Sequence, residues 1–272
     1  MVYQLLGNPV QPVPIVGNLI YDNFGREVLN RHNERFQGLN RIEDLTHYQE
    51  GNPVSFSNTI RALSYAQIID ELARENPEYA GIRVLTFKDA VRFFSAVPER
   101  DSTYADTSSI SLFPKEGPNE ELRRQVLNLA ERTQTDVPLV VDGLTPDRTG
   151  DSFALTRTDR FKVTEAPYLR KDGFVKYNQE TDKVEQCKEG DKGSVRLYVP
   201  DSQSGLRGLY RDRDELYSRY DDLLSSNEAG RVQLVQEPLA RAENFEALLN
   251  AQFAEMQERY TKAVEFLRTG KL

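Results

Sequence analysis

Helical periodicity is the clearest pattern in the first half of the chain. In "NTIRALSYAQIIDELARE", residues 58–75, the isoleucines and leucines recur on one helical face and predict an amphipathic helix. Ser57 is its expected N-cap, and Asn76-Pro77 is its expected end. Further helices are predicted from "GREVLNRHNERF", residues 25–36, and "GPNEELRRQVLNLAERTQ", residues 117–134.

Short apolar runs alternate with these helices. "GIRVLTF", "SSISLF" and "VPLVV" have the length and composition of buried strands. Strands alternating with helices predict a mixed α/β protein whose N-terminal half is a partly parallel sheet covered by helices. From about 151 to 200, polar and apolar residues alternate between Gly, Asp and Asn turns, which predicts an antiparallel β insertion.

The last third of the chain is predicted to be helical. Leucines and tyrosines recur at helical spacing over residues 206–226, and a longer helix is predicted over residues 240–268. We expect one elaborated domain over residues 1–272. The alternative is a division into an α/β part, 1–150, and a β-then-helical part, 151–272.

Composition narrows the class of protein. The 272 residues include 13 Phe and 13 Tyr, which favours a folded chain, although the mean hydropathy of -0.62 indicates a polar surface. A net charge of -8 argues against nucleic-acid and anionic membrane partners, which attract clustered Lys and Arg. No apolar segment is long enough to span a membrane, and the first 20 residues lack the basic start of a secretory signal. With a single cysteine, Cys187, a cytoplasmic location is expected.

Asp142 is the first candidate for chemistry. It follows the predicted strand "VPLVV" and precedes Gly143, and ligands bind beyond the carboxyl ends of parallel strands. The alternative is that Asp142-Gly143 is a turn. Asp106 and Ser108 follow as catalytic candidates, because they belong to a polar stretch at the start of another predicted strand.

Motifs for cofactor or metal binding are missing from the sequence. It has no P-loop, no dinucleotide-binding glycine motif and no nucleophile elbow. His32 and His47 are its two histidines, their spacing matches no familiar metal motif, and His32 is expected to face solvent. We therefore predict neither a cofactor nor a metal.

Arginine and tyrosine are mixed in "VPDSQSGLRGLYRDRDELYSRY", residues 199–220. Arg207, Arg211 and Tyr210 are candidates for binding a carboxylate, a phosphate or another small ligand. The alternative is a solvated helix face on which neighbouring Asp and Glu neutralise the arginines.

The predicted helix at 240–268 has an apolar stripe that we interpret as a contact surface. Its members are Phe245, Leu249, Phe253, Met256, Tyr260 and Leu267. The sequence therefore favours a non-catalytic interaction or structural protein that forms a homo-oligomer or binds a protein partner. The alternative is an α/β enzyme or small-molecule binder with a carboxylate and arginine pocket at the strand ends.

Overall fold

The computed structural model describes residues 15–36, 48–94, 104–150, 152–218, 222–225 and 228–236. The helices in these residues are α1 (Asn23–Phe36), α2 (Thr59–Glu75), α3 (Phe87–Arg92) and α4 (Glu120–Leu129). The strands are β1 (Ile15–Asn18), β2 (Ile82–Val84), β3 (Tyr104–Leu112), β4 (Leu139–Thr149), β5 (Ser152–Glu165), β6 (Gly173–Asn178), β7 (Lys183–Cys187), β8 (Val195–Tyr198), β9 (Leu206–Asp212), β10 (Glu215–Tyr217) and β11 (Arg231–Gln236). Short 3-10 helices lie at Pro77–Tyr79 and Pro167–Arg170.

The eleven strands join into one mixed sheet. Its main path runs β1-β11-β3-β9-β10-β8-β6-β7; β2 pairs with β11, and β4 pairs with both β3 and β5. Most neighbouring strands are antiparallel, whereas β3 with β11 and β8 with β10 are parallel. The sheet therefore runs through both halves of the chain. The domain organisation of the full chain stays a prediction.

Helices α2 and α4 cover one face of the sheet. Ile60 and Leu63 of α2 pack with Ile110 and Leu112 of β3 and with Val126 of α4 in one apolar core. The buried face of α1 packs on α2 and β11 in a second core, and α3 packs with β6, β8 and β9 in a third. α2 begins where the side chain of Asn58 accepts from the backbone N–H of Arg61, so Asn58, not Ser57, is the N-cap.

The predicted parallel α/β sheet in the N-terminal half is wrong. β3 and β4 lie side by side but run antiparallel, and the described partner of β2 is the distant strand β11. α4 therefore does not connect two parallel neighbours. The strands of 151–200 are antiparallel to their neighbours over most of their length, but they belong to the same sheet and are not an insertion.

The prediction of a helical C-terminus is contradicted at residues 206–217. These residues form β9, a turn at Arg213-Asp214, and β10. Six of the seven residues of β9 are buried, so the strand lacks the alternation of polar and apolar residues that marks a strand with one solvent-exposed face. Because apolar residues do not alternate along β9, the spacing of its leucines predicted a helix. Gly208 also suits a tight strand contact, because a Cβ there would lie 2.2 Å from Oγ1 of Thr59. The helix predicted at 240–268 lies outside the described residues.

Candidate functional site

A fork in the sheet creates the candidate cavity. Strand β9 occupies one edge of β3, so β11 and β4 share the other edge, with β11 at residues 105–106 and β4 at residues 109–112. Between them, the backbone N–H of Ser108 donates to the carbonyl of Leu85, 2.8 Å away. Where β11 and β4 separate, a cavity of about 630 Å³ opens between α2, α3, β4, β5 and the β6–β7 hairpin. That volume is typical of small-molecule sites.

A bulge in the β4–β5 pair shapes the wall of this cavity. The register shifts between Asp142 and Leu144, so that residues 158–161 loop out of β5. Gly143 has a φ of +69° at this point, and a Cβ there would lie 2.3 Å from the backbone carbon of Arg160. The bulge places Arg160 at the cavity, where it forms an ion pair with Asp70 of α2 at 2.9 Å. Bulges commonly re-aim a side chain beside functional sites.

Charged residues of both signs line the cavity. The acids are Asp70, Asp89, Asp142, Glu165 and Asp182, and the bases are Arg83, Lys88, Arg160, Lys162 and Lys183. Three ion pairs neutralise most of them: Arg83 with Asp89, Arg160 with Asp70, and Lys88 with Asp182. Glu165 is approached by Arg132 at 3.9 Å. Asp142, Lys162 and Lys183 form no ion pair with any residue of the described ranges.

Asp142 is the central carboxylate of the cavity. It is half-buried, and its Oδ1 accepts a short hydrogen bond from the hydroxyl of Ser109, its register partner on β3. Burial raises the pKa of Asp142, and the neighbouring charge of Asp89 adds to this rise; the Ser109 hydrogen bond and the charges of Lys162 and Lys88 oppose it. A carboxyl group with a raised pKa holds a proton more strongly than an ordinary aspartate, which favours proton exchange with a bound molecule.

Asp89 anchors the start of α3 beside Asp142. Its carboxylate accepts from Arg83 and from the backbone N–H of Thr86, while Thr86 accepts from the N–H of Asp89 in a capping box. Burial disfavours the charge on Asp89, but the hydrogen bonds and the charge of Arg83 outweigh it and hold the pKa of Asp89 below its usual value. Asp89 is therefore a fixed anion within a satisfied network.

The sequence hypothesis named two residues of this cavity. Asp142 and Ser108 both line it, although Asp142 lies within β4 at the bulge and not at a strand end or in a turn. Whether either residue acts in catalysis stays a prediction. Lys162 and Arg160 were missed because only the register and the bulge of the β4–β5 pair bring them to the cavity. Asp89 was missed although the spacing Thr86-x-x-Asp89 resembles a capping box in the sequence.

Asp106 and Tyr210 line a different, smaller cavity of about 260 Å³. Asp106 is 6% exposed and accepts from the hydroxyl of Ser57 at 2.9 Å. Burial raises the pKa of Asp106 to about 7, against the opposing hydrogen bonds of Ser57 and Thr59. The structure thus separates Asp106 from Asp142, which the sequence hypothesis had grouped together.

Arg207 and Arg211 are buried, and neither lines either of these two cavities. The Arg207 Nε donates to the carbonyl of Ser204 at 3.0 Å, and the Arg211 guanidinium lies 4.4 Å from the centre of the Phe94 ring. They are not on a solvated helix face, because this segment is β9. Neither of these two cavities is therefore shared by Asp142 and Arg207.

His32 is also buried, contrary to the expectation that it faces solvent. Its ring packs against Phe36 and Tyr65, and its Nδ1 lies 2.8 Å from Oγ of Ser64. His47 lies outside the described residues, as do the contact residues Phe245, Leu249, Phe253, Met256, Tyr260 and Leu267.

Metal-binding clusters and membrane-spanning helices are both absent from the described residues. No group of three or more His, Cys, Asp or Glu side chains there could hold a metal ion. No helix in this part of the chain has the length and apolar character needed to cross a membrane. Comparison with known proteins found no matching family model, no matching curated protein and no matching solved structure.

Proposed function

We propose that the protein binds a small polar molecule in the cavity at the sheet fork, with Asp142 as its central contact. The observation that carries this proposal is an unpaired, half-buried carboxylate on the wall of a cavity of about 630 Å³. Leaving a carboxylate in such a place without an ion-pair partner costs stability, and proteins keep such groups where a ligand uses them.

The cavity wall is built for a fixed ligand position. The neighbouring ion pairs are each held by two different elements, such as Arg160 of β5 with Asp70 of α2. Ser109 orients Asp142 from β3, and its hydroxyl oxygen in turn accepts from the backbone N–H of Phe87 at 2.8 Å. Functional groups supported in this way by a second set of contacts bind ligands with little loss of side-chain entropy.

A thermal-shift screen of polar metabolite-sized compounds tests this function. A ligand that binds the folded state raises the melting temperature, and the stabilisation grows with the logarithm of its concentration relative to its Kd. Thr164→Trp fills the cavity from β5, where Trp is tolerated in a strand, and should abolish the shift. Asp142→Asn should reduce it. Asp147→Asn, an exposed change on the same strand, is the matched control and should leave it intact.

The proposal fails if no compound shifts the melting temperature, or if the shift survives in a folded Thr164→Trp variant. Amide NMR spectra of both variants establish that each is folded. A binding site elsewhere would keep its ligand in the blocked variant.

We also propose self-association or protein binding through residues 240–268, in the cytoplasm. The support is the apolar stripe of that predicted helix together with the lone cysteine. A chain ending at Gln236 should then have a smaller solution mass per assembly, or lose its protein partner, while its melting temperature shows that it is folded. An unchanged assembly state and unchanged partners would contradict this role.

A further inference from the structure

Asp142 and Lys162 are opposite charges that face each other without forming an ion pair. They are register partners on β4 and β5, so their Cβ atoms point to the same side of the sheet, about 5 Å apart. Both line the cavity, and the Lys162 charge lowers the pKa of Asp142. The two charged groups are thus close enough to interact, yet direct pairing does not neutralise them.

The other charges of the wall cannot serve a ligand equally well. Asp89, Asp70 and Asp182 are each held by a cation from within the wall. Lys183 is an unpaired cation of the described wall as well, and it lies on β7 at the exposed rim. The wall charges that have no ion-pair partner among the described residues are therefore the half-buried carboxylate of Asp142, the exposed ammonium of Lys162 opposite it, and the exposed ammonium of Lys183.

The remainder of the wall includes a substantial apolar part. Val84, Val140 and Leu144 are nearly fully buried and line the cavity together with the stacked rings of Phe87 and Tyr168. Burial raises the pKa of Tyr168, so its hydroxyl stays protonated. An apolar group of the ligand can lie against this surface while its polar end meets Asp142 and Lys162.

We infer that the cavity takes an α-amino or α-hydroxy carboxylic acid with an apolar side chain. Lys162, supported by Lys183, binds the carboxylate, and Asp142 accepts a hydrogen bond from the amino or hydroxyl group on the neighbouring carbon. Because Asp142 and Lys162 project from register positions about 5 Å apart, the two groups that they contact can lie close together on one ligand. This inference rests on the proposed ligand-binding function and specifies its ligand class.

Four probes that share one aromatic side chain test the ligand class by titration calorimetry. L-phenylalanine carries both an ammonium and a carboxylate, and phenyllactate replaces the ammonium with a hydroxyl. 3-Phenylpropanoate lacks the donor, and L-phenylalaninamide lacks the carboxylate. At least one of the first two should bind roughly tenfold or more tightly than either of the last two, because each deleted group removes a charged hydrogen bond. The tighter of the first two identifies the donor as amino or hydroxyl.

Two variants assign the two contacts. In Lys162→Gln, the preference for the probe with a carboxylate over phenylalaninamide should shrink to about twofold or less. In Asp142→Asn, the preference over 3-phenylpropanoate should shrink instead. Lys171→Gln, an exposed lysine outside the cavity wall, is the control and should keep both preferences.

The outcomes separate this inference from the proposed function. If the four probes bind with equal affinity, or if neither variant changes its assigned preference, the inference is overturned. It is also overturned if the screen finds cavity ligands that lack both groups and the four probes do not bind; ligand binding in the cavity then still stands. If no compound of any class binds, the proposed function itself has failed.

Discussion

Ser109 and Asp142 face each other on β3 and β4, and the Ser109 hydroxyl donates a hydrogen bond to Oδ1 of the Asp142 carboxylate. The same hydroxyl oxygen accepts from the backbone N–H of Phe87 at the start of α3. One fully buried serine thus connects α3, the centre of the sheet and the carboxylate of the cavity. Ser109 positions Asp142, and the Ser109 hydroxyl needs an oxygen of Asp142 as the acceptor of its hydrogen bond.

Ser109→Ala should raise the pKa of Asp142 further, because it removes the hydrogen bond that favours the charged carboxylate. It should also lower the free energy of unfolding by about 1–3 kcal/mol, since the buried Phe87 N–H loses its acceptor. Carboxyl-carbon NMR titration gives the pKa, and urea denaturation gives the stability.

Ser108→Ala is the matched control for this change. The Ser108 hydroxyl lies 3.2 Å from the Leu85 carbonyl and 3.5 Å from the Val84 carbonyl, and it makes no hydrogen bond to Asp142. The pKa of Asp142 should stay as in the wild type. An equal pKa in wild type and Ser109→Ala would show that the serine does not tune the carboxylate.

Asp106→Asn should stabilise the protein increasingly as pH rises from 4 to 7. The folded-state pKa of Asp106 is about 7, above its ordinary value, so the folded protein retains a proton that the unfolded chain has released. The wild type therefore loses stability over this range, by up to about 1.4 kcal/mol per pH unit. The asparagine does not titrate and can still accept from Ser57. Urea denaturation at several pH values measures the difference, and parallel curves for the two proteins would contradict it.

His32→Asn should change the pH dependence in the opposite direction. Burial, reinforced by the charges of Arg61 and Arg35, lowers the pKa of His32 to about 3. Below about pH 6.5, His32 binds a proton in the unfolded chain but stays neutral in the folded protein. The wild type therefore loses stability as pH falls towards 3. The asparagine keeps a polar contact to Ser64 without titrating, and its stability should fall less steeply in acid.

The packing lost in His32→Asn is the same at every pH and only offsets the two curves. The informative quantity is the difference between their slopes in the range pH 4–6. If wild type and variant lose stability at the same rate there, His32 takes up a proton in the folded protein as readily as in the unfolded chain, which contradicts the prediction.

Local patterns identified helix α2 and the strands β2, β3 and β4, but they mistook strand β9 for a helix. The apolar spacing of Ile60, Leu63 and Leu72 placed a helix where α2 lies, because one helical face packs against the core. In β9, residues on both faces are buried, so Leu206 and Leu209 lack the alternation that identifies a strand. The partly parallel arrangement predicted for the N-terminal half was wrong because strand order depends on contacts between distant segments, such as the antiparallel pairing of β2 with β11.

The candidate cavity was partly visible in the sequence. Asp142 stood out as a carboxylate after an apolar run, and that run is the start of β4. Its surroundings depend on the register that sets Lys162 opposite it and on the bulge that places Arg160. Neither can be read from spacing in the sequence, because Lys162 lies on a different strand from Asp142 and Arg160 pairs with Asp70 of α2. The burial of Arg207 was not predicted, because its segment was interpreted as a helix.

Gly143→Ala should disrupt the cavity wall. Gly143 has a φ of +69°, where an alanine costs about 1–2 kcal/mol, and its Cβ would lie 2.3–2.4 Å from backbone atoms of Arg160 and Phe161. Relieving that overlap must separate β4 from the bulge of β5 and displace Arg160 from Asp70. We expect a loss of roughly 2–5 kcal/mol in the free energy of unfolding, together with weaker binding of any cavity ligand.

Gly150→Ala separates the steric effect from the backbone effect. Gly150 also has a positive φ, +61°, but a Cβ there would meet no atom within 4 Å. The free energy of unfolding of Gly150→Ala should fall by only about 1–2 kcal/mol, and the variant should bind cavity ligands as the wild type does. Urea denaturation and ligand titration of both variants make the comparison. Equal losses at the two glycines would mean that the β4–β5 bulge accommodates a methyl group, and that the position of Arg160 does not depend on Gly143.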